Sequence, residues 1–247
     1  MRVLDLFSGI GGFSLGLERA GLRTVAFCEI DPYCRAVLAK HWPNVPCYDD
    51  VRELQAIGAD VVCGGPPCTE TSVAAAIQGR RTGATLWPAM HAVIRRNRPQ
   101  WIIVEQPAGT GGWAATVKND LASIGYHSAR LQRSARDCGA PHERRRLFIV
   151  ANTVRERCEA VAWLTDPSAI EPCAWPAPPR GTWREAGAGN RGMDDGISNR
   201  MDRLRALGNS LVPQIAEIIG RAIMAQEGEA NEAAATTSFR TGVKNEE

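Results

Sequence analysis

The eight cysteines of this 247-residue chain include no Cys-x-x-Cys pair, and its four histidines complete no ligand spacing beside them. A zinc site and a disulfide framework are therefore not expected, nor is any metal. Most of the thiols should be buried and reduced, leaving room for one reactive cysteine among them. The chain also lacks a charged-then-apolar leader at Met1 and any apolar run long enough to cross a bilayer, so a cytoplasmic protein without membrane contact is expected. No internal repeat is present. Net charge is scarce too, only +2. Its distribution is uneven: residues 227–247 hold five Glu against Arg240 and Lys244, so the remainder is the more basic part. Arg133, Arg136, Arg144, Arg145 and Arg146 cluster there, as a solvated face or as a surface for a polyanion.

What the chain does hold is an alternation of short apolar strands with amphipathic helices, which predicts an α/β fold with a mostly parallel sheet and helices on both faces. Strands are expected over Val3–Phe7, Thr24–Cys28, Val45–Cys47, Asp60–Cys63, Trp101–Glu105, Ser128–Gln132 and Leu147–Ala151. Helices fit Gly12–Ala20, Pro32–His41, Leu86–Asn97 and Val117–Ser123. Pro32 suits a first helical turn, and the residue before a proline resists the helical region. Residues 69–83 read as a polar loop. After Asn152 the chain becomes rich in Pro, Trp and Gly, which predicts a small irregular lobe over 153–205. A helix over 206–226 follows, and the tail 227–247 is expected to be disordered.

Five strand ends carry candidate chemistry. Gly9-Ile10-Gly11-Gly12 follows a strand and opens a helix, where backbone N–H groups can approach a carboxylate or phosphate. The spacing is not the G-x-G-x-x-G of dinucleotide folds. Glu29 ends the second strand, where an acid commonly takes ribose hydroxyls, and Asp50 follows the third. Each acid alone reads equally as a surface carboxylate or helix cap. Together, at successive strand ends, they favour an adenosyl-type ligand. Cys68 follows two prolines at the exit of Asp60–Cys63 and leads into polar Thr69-Glu70-Thr71-Ser72. A free thiol with a pKa of about 8.5 is only roughly 3% thiolate at neutral pH, yet strongly nucleophilic. Glu105 ends the expected neighbouring strand, and a carboxyl there can bond a ring nitrogen and an exocyclic amine together.

These segments resemble the cytosine-C5 DNA methyltransferase family over most of residues 1–152 and again over about 206–226. Asp5-Leu6-Phe7-Ser8-Gly9-Ile10-Gly11-Gly12-Phe13 is similar to its cofactor motif, and Gly64-Gly65-Pro66-Pro67-Cys68 to its nucleophile motif. Glu105-Gln106-Pro107 stands where the family usually has Glu-Asn-Val, and His142-Glu143-Arg144-Arg145-Arg146 where it has Gln-x-Arg-x-Arg. Gly208-Asn209-Ser210 with Pro213 resembles its last motif. The order of the five is the family's.

The resemblance implies a Rossmann-like fold that binds S-adenosylmethionine and releases S-adenosylhomocysteine. Asp5, Phe7, Ser8, Gly9, Ile10, Gly11, Gly12, Glu29, Ile30, Asp50, Val51, Pro67, Leu86, Asn209 and Ser210 would form the cofactor pocket. Cys68, Glu105, Arg144 and Arg146 would act on a cytosine flipped from double-stranded DNA. Residues 1–152 would be the catalytic body and 153–205 the target-recognition lobe, about half of an ordinary 100-residue domain. Such a lobe predicts a short sequence context. The resemblance also implies a phage or bacterial setting, with a restriction enzyme as a partner in the same system. Gln106-Pro107, Thr69-Glu70 and His142 depart from the family pattern and bear on target choice. RNA cytosine methylation and a catalytically silent nucleic-acid-binding role remain open at this point.

Overall fold

Seven strands form among the described residues: β1 (Arg2–Leu6), β2 (Arg23–Cys28), β3 (Cys47–Tyr48), β4 (Val61–Gly64), β5 (Trp101–Pro107), β6 (His127–Arg133) and β7 (Arg146–Asn152). The structure, a computed structural model, describes residues 1–67, 85–108, 111–140, 143–162 and 211–242. Cys68, the loop 69–83, His142, residues 163–205, Asn209, Ser210 and the last residues of the tail therefore lie outside the described residues. The strands pair in the order β3-β2-β1-β4-β5-β7-β6. Only β7 runs against its neighbours. The direction of winding reverses between β1 and β4, and open α/β sheets bind ligands beyond the strand C-termini at such a point.

Alternation along the central strands divides the core into two faces. Val3, Val61, Trp101 and Ile103 pack with Phe13 and Leu17 of helix α1 (Gly12–Arg19) and with Ile215 and Ile219 of α6 (Pro213–Gly242). Leu4, Val62, Ile102 and Val104 face Met90, Val93 and Ile94 of α3 (Trp87–Asn97) and Val117 and Leu121 of α4 (Gly111–Ser123). A strand buried on both sides has no polar face, which is why these segments read as continuous apolar runs. Helix α2 (Pro32–His41) starts where expected, since Asp31 accepts from the N–H groups of Tyr33 (2.9 Å) and Cys34 (3.2 Å). No helix is long and apolar enough to cross a membrane among the described residues.

Three boundaries differ from expectation. Helix α4 begins at Gly111 rather than Val117, before the apolar pattern declares itself. The body does not end at Asn152: Arg155–Ala162 forms α5, whose Cys158 and Val161 are buried. The helix that was expected to give way to a disordered tail at Glu227 continues to Gly242. Glu227 is the reason at the junction. Its carboxylate accepts from Trp101 Nε1 (2.9 Å) and Gln100 Nε2 (3.1 Å) and pairs with Arg157 at 2.7 Å. Beyond it, alanine and glutamate favour helix intrinsically. Acidic composition alone suggested a solvated tail and concealed this contact.

Glu227→Ala leaves the Trp101 N–H and the Arg157 guanidinium without their carboxylate, and should cost about 2 kcal/mol of stability. Glu229→Ala, removing an exposed bond to Gln226, should change stability by less than about 0.5 kcal/mol. Urea unfolding of both variants checks this; equal stabilities would contradict a structural role for Glu227.

Candidate active site

The C-terminal ends of β1, β2, β4 and β5 lie side by side, because the register pairs Leu6 with both Cys28 and Gly64, and Gly64 with Val104. What each strand carries past its end is therefore gathered at one edge. Reversed β7 starts at that edge, with Arg146 opposite Pro107. The candidate residues of the described segments fall into two groups along it.

The first group surrounds the turn after β1. Phe7 (φ 54°) and Gly9 (φ 53°) adopt left-handed backbone, and Gly11 (φ 85°) caps α1 without a side-chain partner. Ser8 fixes the turn from within: its Oγ donates to the Asp5 carbonyl (2.7 Å), and its carbonyl accepts from the Gly11 N–H (2.9 Å). Glu29 braces it from β2, accepting from the N–H groups of Gly9 (2.7 Å) and Asp31 (2.8 Å). Trp42 closes it from behind. A Cβ on Gly11 would sit 2.6 Å from the indole, which also packs on Phe27 and donates to Glu18 at 2.9 Å. Any side chain at Gly11 would thus face both a strained φ and an occupied space.

Asp5 lies beneath the turn rather than in it. It is fully buried, and Oδ2 accepts from Ser14 Oγ–H (2.7 Å) and N–H (3.3 Å), capping α1 from another element. Desolvation raises its carboxyl to about 7, against the bonds from Ser14 and Cys63. Val51 is likewise buried, in the core cluster with Leu54 and Ala59. At the opening, Ile10 is half-buried, Ile30 is 69% exposed and Leu86 38% exposed. Asp50 is engaged by Arg52, which contacts both carboxylate oxygens and holds the group down at about 2. Leu86 N–H donates to the Pro67 carbonyl (3.1 Å), bringing together the two ends of the segment that contains Cys68.

The second group is built on β4 and β5. A Cβ on Gly65 would lie 2.8 Å from Glu105 Oε2, so glycine lets that carboxyl stand where it does, and a side chain there would make it shift. Glu105 pairs with Arg146 Nε at 2.7 Å. Burial nevertheless raises its carboxyl to about 7, the charges of Arg146 and Arg144 opposing the rise. Arg144 reaches the site on a left-handed backbone (φ 33°), and burial lowers its pKa. Gln106, buried within β5, donates its side-chain amide to the Pro66 carbonyl. Cys68 lies outside the described residues. Its Cα follows Gly65 by three residues, so chain geometry keeps it within about 11 Å of the Gly65 Cα.

Sequence reasoning named Glu29, Glu105, Arg144 and Arg146 and did not find Trp42 or the work of Gln106. A polar side chain inside an apolar strand was the available signal for Gln106. Trp42 offered none, since its contact with Gly11 spans 31 positions and depends on how α2 packs. Arg52 is a third partner that spacing did not reveal.

The family model of the C-5 cytosine-specific DNA methylases matches residues 1–180. The chain is 36% identical to the Type II methyltransferase M2.BsuMI of Bacillus subtilis over 163 residues, 62% of this chain and 42% of that protein. It is 28% identical to the Type II methyltransferase M.HhaI of Haemophilus parahaemolyticus over 158 residues, 61% of this chain and 48% of that protein. It thus spans less than half the length of either. Among solved structures, a prophage-encoded DNA modification methyltransferase of Escherichia coli aligns with TM-score 0.50 and 26% identity, covering 62% of this chain and 46% of that one. A Spodoptera frugiperda DNMT2 structure aligns with TM-score 0.52 at 18% identity, over 61% of this chain and 49% of that one, which shows a shared fold.

The buried Asp5 carboxyl makes the fold pH-sensitive. Its folded pKa, about 7, lies above the ordinary value, so stability is fullest below the unfolded pKa and falls as pH rises between about 4 and 7. Asp5→Asn retains an acceptor for Ser14 Oγ and removes that ionisation. Chemical denaturation across this range should show a smaller loss of stability at the alkaline end in the variant. A pH dependence identical to the parent's would contradict a buried, titrating Asp5.

Proposed function

Since the chain belongs to the C-5 cytosine-specific DNA methylase family, we propose that it transfers a methyl group from S-adenosylmethionine to C5 of cytosine in double-stranded DNA. The observation that carries this reading is Glu105. Its carboxyl is held beside Gly65, on the turn leading to Cys68, and is raised close to neutrality. A carboxyl in that condition can be proton-loaded at physiological pH and still exchange its proton.

The residues of the first group fit the cofactor. The first turn of α1, where Gly11 supplies no side-chain cap, suits its carboxylate. Glu29 suits the ribose hydroxyls, and the exposed Ile30 and Leu86 offer apolar surface to the adenine. Asp50, kept ionised by Arg52, accepts from the adenine amine. Pro67 adds to the pocket, and Asp5 and Val51 support it from beneath; Asn209 and Ser210, outside the described residues, are assigned to it by the family resemblance. Bound there, S-adenosylmethionine supplies an electrophilic methyl group and leaves as S-adenosylhomocysteine.

The target base leaves the duplex at a cost of a few kcal/mol. The Cys68 thiolate adds to C6 while Glu105 donates its proton to N3, so electron density moves to C5 without a full anion developing on the ring. After C5 is methylated, a water molecule takes the C5 proton, the C6–sulfur bond breaks to release the Cys68 thiolate, and N3 returns its proton to Glu105. Arg146 orients Glu105, and Arg144 adds positive potential over the ring. Residues 163–205 serve target recognition, and their small number favours a short sequence context.

Two titrations set the pH profile. Proton-loaded Glu105 falls away above about 7 while thiolate content grows with pH, an ordinary free thiol ionising at about 8.5, so kcat/KM should rise, level off and then decline. Glu105→Gln should lower kcat/KM by about 10²-fold and abolish the alkaline decline. Methyl transfer to duplex DNA and to structured RNA, measured in parallel across pH, tests both parts. Transfer to RNA alone, or an unaltered profile in Glu105→Gln, would refute the reading.

A further inference from the structure

We infer that the connection between β6 and β7 is a phosphate clamp for duplex DNA, with Arg136 and Arg145 as its two contacting residues; this rests on the proposed DNA substrate. The connection emerges at the edge that carries Glu105, since Arg133 pairs with Arg146 and Arg146 with Pro107 across the three strands. Its described residues, 134–140 and 143–145, are tied to one another. Ser134 and Asp137 exchange bonds in a capping box at the 3-10 turn Ala135–Cys138, and the Ala135 N–H donates to the Glu143 carbonyl at 2.7 Å. Those bonds occupy the Asp137 carboxylate, so it does not compete for the arginines.

Two guanidinium groups remain on the outer side. Arg136 is 66% exposed and Arg145 61% exposed, and both approach one carboxylate, Glu143, at 3.9 and 3.0 Å. Arg146, by contrast, is committed to Glu105. Exposed ion pairs of this kind are weak and screened by salt. A backbone phosphodiester offers each planar guanidinium two oxygens for a bidentate contact, and binding it also releases the counterions condensed on the duplex. Glu143 therefore acts as a placeholder that aligns the pair in the free protein and tempers its attraction to DNA. Such contacts carry no sequence information; they fix register while the flipped base is read elsewhere.

The test is duplex binding by the full chain as a function of salt, with Arg136→Gln, Arg145→Gln, the double variant and Glu143→Gln. Each lost phosphate contact should reduce the slope of log Kobs against log salt by about 0.9, and the double variant by about 1.8, equally for unrelated duplex sequences. Glu143→Gln should bind several-fold more tightly than the parent. kcat at saturating DNA should stay unchanged throughout. An unchanged slope in the double variant, no tightening in Glu143→Gln, or a loss confined to structured RNA would overturn the clamp. Arginine-dependent duplex binding without methyl transfer would support the clamp and strike the catalytic reading alone.

Discussion

Burying the Glu105 carboxyl at the end of β5 constrains everything around it. A carboxyl withdrawn from water must find a cation, a donor or a proton. Arg146 at 2.7 Å supplies the cation, and the rise to about 7 shows that burial still outweighs it. Space is the second requirement, and Gly65 provides it by having no Cβ. Gly65 lies three residues before Cys68, so the chain that passes the carboxyl leads on to the proposed nucleophile. Gln106 adds a tie from the next residue of β5 to the Pro66 carbonyl. One strand end thus determines both the acid and the approach to the thiol.

The turn after β1 obeys a similar logic with different materials. Its backbone occupies conformations that L-residues adopt reluctantly, most notably at Phe7, and such strain persists only where surroundings over-determine it. Here they do: Ser8 from inside, Glu29 from β2, Trp42 from behind and Asp5 from below. The segment leading into the C-terminal helix joins the same assembly, since a Cβ on Gly12 would lie 2.9 Å from the Leu211 carbonyl. Residues far apart in the chain converge on one small turn.

Most of the architecture was legible in the sequence, because a parallel sheet covered on both faces writes itself as apolar runs separated by glycine and proline. All seven strands fall within a residue or two of expectation. Glu29 and Glu105 were legible for a related reason, since each is a polar residue at the end of an apolar run, whereas Arg146 was legible only through the family resemblance. Contacts made across elements were not. Glu227 looks like one more acid in an acidic tail until Trp101 and Arg157 are seen against it. Asp5 looks like part of a ligand motif, yet its carboxylate turns inward to Ser14. Composition and period describe which way a segment faces, and both cases depend on what faces it.

The central claim is that the thiol following the β4 turn and the acid ending β5 act on one base. It is tested most directly by incubating the chain and S-adenosylmethionine with duplex DNA carrying 5-fluorocytosine, whose fluorine blocks release of the covalent species. Intact mass and peptide mapping should then show a DNA adduct on Cys68 and on no other cysteine. An adduct on a different cysteine, or methylated fluorocytosine product without any protein–DNA bond, would contradict it.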